Sequence, residues 1–164
     1  MIVKSFELPR KITDLLKYNI FLAYGENVGL KKDIKNLIQN NLKKNNNIEV
    51  LSLYENEIID REDNFYNSIY SGSLFSEIKL ITVQEVTDKL LEKIEIIYSK
   101  YPKNVFLILF SDVLEKKSKL RSFFETKDKT ICIPCYSDNE RDLSIIAQSE
   151  LKKDNINLSR ESLN

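Results

Sequence analysis

Histidine and tryptophan are both absent from the 164 residues. Loss of histidine removes the commonest general base and the commonest transition-metal ligand together, so no Ser/His or Cys/His nucleophilic arrangement exists. Net charge is absent too: Lys plus Arg and Asp plus Glu number 25 each. A neutral domain does not hold nucleic acid by bulk charge, so a DNA contact must be a local patch or come from elsewhere in an assembly. No apolar run is long: the longest, Val105 to Phe110, is far too short to span a bilayer. The N-terminus shows no apolar signal-peptide core with a cleavage site, so a cytoplasmic, non-membrane protein is expected. Cysteine is limited to Cys132 and Cys135, and with no further Cys or His cluster there is no four-ligand zinc site. No metal and no cofactor are expected.

What is present fits a globular chain, 42% hydrophobic and 30% charged, large enough for one α/β domain and the start of another. Leu8, Ile12, Leu15 and Leu16 fall at helical spacing with Pro9 in the first turn. Ile20 to Tyr24 reads as a buried strand and Gly25-Glu26-Asn27 as a sharp turn. A helix follows on Leu30, Ile34, Leu37, Ile38 and Leu42. Ile48 to Leu53 is a second strand, and Asp60 to Tyr70 a helix with Asp60 as its N-cap. Lys79 to Gln84 is a third strand, and Thr87 and Asp88 open a helix that Pro102 closes. Val105 to Phe110 is the most apolar strand and therefore expected at the centre. A short helix bearing Leu120, Phe123 and Phe124 leads to a fifth strand, Thr130 to Ile133.

Five strands alternating with helices predict a parallel sheet with helices on both faces over residues 1–137. Ser137-Asp138-Asn139-Glu140 has the capping-box pattern and predicts a helix through Leu143, Ile146, Ala147 and Leu151. Residues 138–164 are thus expected to begin a second, helical domain that continues beyond the sequence.

Four places offer chemistry. The first strand runs into Gly25 and a helix, the geometry of a phosphate-binding loop. A working loop needs Gly-x-x-x-x-Gly-Lys-Ser/Thr. Here Gly29 comes one place early, Lys31 falls on the lysine position, Lys32 replaces the hydroxyl, and Glu26 stands where phosphate would sit. The third strand ends in Gln84-Glu85, and a neutral Gln84 is a poor magnesium ligand. ATP binding is not expected. Cys132-Ile133-Pro134-Cys135 has oxidoreductase spacing, but Cys132 lies inside a strand and the next helix starts after both cysteines, so no helix dipole activates the thiol. Lys116, Lys117, Lys119 and Arg121 form a basic cluster able to touch phosphate, flanked by Glu115 and Glu125. Finally, Ser73-Leu74-Phe75 presents two large apolar side chains between a helix and a strand, either closing the core or standing out as a docking knob.

This last stretch resembles the clamp-binding step of the DNA polymerase III delta subunit family, clamp-loader components that grip and open the sliding clamp. The order of other motifs is similar: Tyr24-Gly25-Glu26 at the end of strand one, Val105 to Phe110 followed by Lys116 to Leu120 and Phe123-Phe124, and Asp142-Leu143 in the following helix. Gly72 stands where a larger apolar residue can occur in the family, which leaves open whether a third anchor is missing. The resemblance implies an AAA+ module with a P-loop-like α/β domain and a helical lid. It implies a non-catalytic subunit of the bacterial replicative polymerase holoenzyme, a DNA-directed DNA polymerase. Such a subunit binds the sliding clamp through Ser73, Leu74 and Phe75 and favours the clamp's open form for loading on primed DNA. Its partners are the clamp, other loader subunits in a hetero-oligomer, and primer-template DNA through the assembly. Two alternatives stay open: another P-loop-related nucleotide-binding or AAA+ protein, and a thiol oxidoreductase.

Overall fold

In a computed structural model the structure describes residues 1–73 and 76–137. Five strands form one sheet: β1 Ile20–Tyr24, β2 Ile48–Tyr54, β3 Ile78–Gln84, β4 Val105–Ser111 and β5 Thr130–Pro134. Their order is β2-β3-β4-β1-β5, and every pairing is parallel. The helices are α1 Leu8–Leu15, α2 Val28–Lys43, α3 Glu55–Asp60, α4 Glu62–Tyr70, α5 Leu91–Tyr98 and α6 Lys119–Thr126.

A parallel sheet needs cover on both faces because its crossovers are helices, and the strand sequences supply two apolar faces by alternation. Ile20, Leu22 and Tyr24 of β1, with Val105, Leu107 and Leu109 of β4, point to one face. There they meet Ile58 of α3, Phe65 and Ile69 of α4, Ile94 and Ile97 of α5, and Leu120 and Phe124 of α6. Phe21 and Ala23, with Phe106, Ile108 and Phe110, point to the other face, against Leu8, Ile12 and Leu15 of α1 and Ile34, Ile38 and Leu42 of α2. Each fully buried Ile, Leu or Phe contributes roughly 1.5–3 kcal/mol. All seven residues of β4 are buried, and β4 is the middle strand, as its composition predicts. β2 is an edge, half-exposed along its length. The other edge, β5, is met by the N-terminal stretch: Ile2 bridges Cys132 in parallel, and the Val3 N–H donates to the Cys132 carbonyl at 2.9 Å.

The segment after β2 differs from the expectation. Asp60 does not cap a helix: it is the last residue of α3, and Arg61, at φ −140° and ψ 69°, separates α3 from α4. The reason lies in Glu57, whose carboxylate accepts from the Tyr54 N–H at 2.7 Å and starts a helix one turn earlier. The expected second domain, residues 138–164, lies outside the described residues.

Candidate partner-binding site and the nucleotide-like turn

The connection from α4 to β3 carries Ser73-Leu74-Phe75. Leu74 and Phe75 lie outside the described residues; the frame around them does not. On the α4 side, Ser71 closes the helix, its N–H donating to the Asn67 carbonyl at 2.9 Å. On the β3 side, the Glu77 and Ile78 N–H groups both donate to the Asn47 carbonyl, at 3.0 and 3.3 Å. Between these ties Gly72 is exposed, and a Cβ built on it would meet nothing within 4 Å. Ser73 and Ser76 are half-buried. Tyr70, the last residue of α4, is 48% exposed. Lys79, one residue into β3, is only 4% exposed and turns its ammonium back to Ser68 and Ser71 at the end of α4.

The turn from β1 to α2 is closed upon itself. Gly25 has φ +135°, a conformation glycine alone takes without strain, and a Cβ there would stand 2.0 Å from the Cys135 carbonyl oxygen. Its N–H donates to the Ser111 and Asp112 carbonyls, and the Asn27 N–H donates to the Cys135 carbonyl at 3.0 Å. Asn27 caps α2, its side-chain oxygen accepting from the Leu30 N–H at 3.0 Å. Lys31 is buried, and its ammonium donates to the Ser111 carbonyl at 3.1 Å and to Asp112 Oδ1 at 3.3 Å. Gly29 is ordinary helix, with only the Asn27 side chain near a built Cβ, at 3.5 Å. Glu26 accepts from the Ser137 N–H at 2.8 Å and hydroxyl at 2.6 Å, bonds that hold its carboxyl below the usual range. Donors that a phosphate loop would aim at an anion thus serve the chain's own carbonyls and carboxylates. Beside them is a cavity of about 370 Å³, lined in part by Lys31, Lys35, Gln84, Glu85 and Asp112.

The four side chains of the basic cluster are engaged differently. Arg121 donates to Glu125 at 2.8 Å and to the Leu114 carbonyl at 3.0 Å, and lies 5.0 Å from the Tyr24 ring centre. Lys117 pairs with Glu115 at 2.9 Å with both side chains exposed, and Lys116 and Lys119 are exposed. The cysteines are buried and free. Cys132 packs on the α3–α6 face of the sheet and Cys135 on the α1–α2 face, so their spacing sends them apart. Burial pushes both thiols up to about 12, which suppresses the nucleophilic thiolate.

Sequence reading passed over three polar tethers. Lys79 is one. Glu55 is another: it is buried and accepts from the Thr87 N–H at 2.6 Å and hydroxyl at 2.8 Å, joining the start of α3 to the segment after β3. The third is Asp88, which accepts from the Ser118 hydroxyl and the Leu120 and Lys119 N–H groups at the head of α6. Asp88 was legible as an opener of its own helix, not as a cap for another. Only a charged residue in an otherwise apolar strand pattern could have marked Lys79.

No protein-family model and no curated protein matches the chain. Solved structures do. The DNA clamp loader delta protein of Bacillus subtilis superimposes with a TM-score of 0.68 at 14% identity, over 97% of this chain and 50% of that one. AMPPCP-bound DnaA from Aquifex aeolicus gives a TM-score of 0.53 at 20% identity, over 97% of this chain and 54% of that one. The chain spans about half the length of each. At these identities the likeness is one of fold, and the fold is an α/β AAA+-like one.

Proposed function

We propose that this chain is the clamp-gripping portion of a delta-type clamp-loader subunit: a non-catalytic protein that binds a bacterial sliding clamp and favours its open form. The Bacillus subtilis protein that shares its fold is a DNA clamp loader delta protein. The observation that supports the reading is the frame between α4 and β3, the stretch of sequence in which Ser73-Leu74-Phe75 falls. The described residues on either side support it: Ser71 and Glu77 are tied by backbone hydrogen bonds, Gly72 is open and Tyr70 is exposed. Clamp opening then follows from differential affinity, since a ligand shifts an equilibrium only by binding one state better. Other loader subunits, in a hetero-oligomer of the polymerase III holoenzyme, supply ATP hydrolysis, and primer-template DNA is held by the whole assembly. Lys116 and Lys119 are the side chains of the basic cluster left to meet its phosphates, because Arg121 serves Glu125 and Leu114 and Lys117 pairs with Glu115.

The test is direct binding of this chain, without nucleotide, to a bacterial sliding clamp. Burying a Leu and a Phe is worth roughly 1.5–3 kcal/mol each, and residues of this kind dominate interfaces. Saturable binding is expected, weakened at least about a hundredfold in the folded Leu74→Ala, Phe75→Ala variant. Equal binding by that variant would sink the assignment of the site.

A further inference from the structure

We infer that Lys79 is a positioning residue: its buried ammonium fixes the connection that carries Ser73-Leu74-Phe75. A lysine ammonium has three donors, and here all three have acceptors. Nζ donates to the Ser68 carbonyl at 2.7 Å, to the Ser71 carbonyl at 3.0 Å and to the Ser71 hydroxyl at 3.3 Å. Ser68 lies in the last turn of α4 and Ser71 is its C-cap, so the charge sits where a helix presents unpaired carbonyls and the negative end of its dipole. A buried charge persists only when its partners are supplied in full. The backbone of Lys79 is itself locked in the sheet, its N–H donating to the Asn104 carbonyl at 2.9 Å. One side chain therefore runs from β3 to the point where the chain leaves α4, spanning the base of the connection. The inference rests on the clamp-binding reading for its consequence and on geometry for its mechanism.

Two readouts keep these apart: exchange of the hydrogen-bonded amides of Ser71 and Glu77, and affinity for the sliding clamp. Lys79→Met keeps the apolar stem and removes the charge. It is expected to speed exchange at those two amides at least tenfold while the β4 amides are unchanged, and to weaken clamp binding about tenfold. Lys79→Arg, which restores donors, is expected to recover both. Unchanged exchange in Lys79→Met overturns the inference, as does faster exchange with undiminished affinity in a chain whose Leu74→Ala, Phe75→Ala variant binds poorly. Faster exchange in Lys79→Met, where the wild-type chain itself binds no clamp, supports the tether and removes the clamp reading instead.

Discussion

Burial leaves the Tyr101 hydroxyl without a hydrogen-bond partner among the described residues and pushes its ionisation well upward. A buried, unsatisfied hydroxyl costs about 1–3 kcal/mol, while the ring still packs against the core on the α3–α6 face. Tyr101→Phe is therefore expected to stabilise the protein by about 1 kcal/mol, raising the melting temperature by roughly 2–4 °C; a lower melting temperature would show a partner for the hydroxyl. The cysteines give a pH signature. Their native pKa values of about 12 lie above an ordinary 9.0, so the unfolded chain releases protons that the native one keeps. Stability is then unaffected by these groups below about pH 9 and falls as pH rises from there towards about 12. Urea unfolding between pH 7 and 10.5 should show the decline beginning near pH 9, reduced in Cys132→Ala; a flat profile would contradict the burial. The same thiols should resist alkylation at pH 8 until the chain is unfolded.

Elements are joined here by carboxylates at helix heads. Asp88 receives the Ser118 hydroxyl at 2.6 Å and the Leu120 N–H at 3.0 Å, bonds that hold its carboxyl below the usual range. Ser118 in turn accepts from the Arg121 N–H at 3.2 Å as the N-cap of α6. Asp88→Ala leaves those donors to water, and a cost of about 1 kcal/mol in urea unfolding is expected; no change would mean that Ser118 caps α6 unaided. This scale also shows what the sequence displays and hides. Strands β1, β3, β4 and β5 and helices α2 and α6 are readable because their apolar period is long enough to count. The helix α3 is not: six residues hold one buried apolar side chain, Ile58. Its defining bond, from the Tyr54 N–H to Glu57, resembles any Glu near a strand end. The Gly25 turn was readable as a turn. That Cys135 would press on it, consuming the Asn27 N–H, was not, because the two are joined only through the sheet order.

At the scale of the whole molecule the crevice at the carboxyl ends of the strands is the place where open α/β sheets hold ligands. Here, beside the cavity of about 370 Å³, the chain commits several of its polar groups to its own pairs. Lys31 reaches Ser111 and Asp112, Glu26 holds Ser137, and Glu55 holds Thr87. Titration with ATP and magnesium is accordingly expected to leave the melting temperature in place. Ligand at a hundred times its Kd would add about 2.7 kcal/mol, so a rise of several degrees would favour a nucleotide-binding protein over a clamp-gripping one. Among the described residues no helix is long and apolar enough to cross a membrane.

The strand order sets a timetable for synthesis. Ile20 of β1 pairs with Leu107 on one side and Thr130 on the other, both far downstream of it. A nascent chain that has released β1, α2 and β2 from the ribosome holds strands that have no neighbour yet, since β2 also waits for β3. Parallel, non-local pairing of this kind is slow and leaves apolar strands uncovered meanwhile. Ribosome-bound chains halted before Val105 should thus be cut readily by protease within β1, and resistance should appear only once β4 and β5 have emerged.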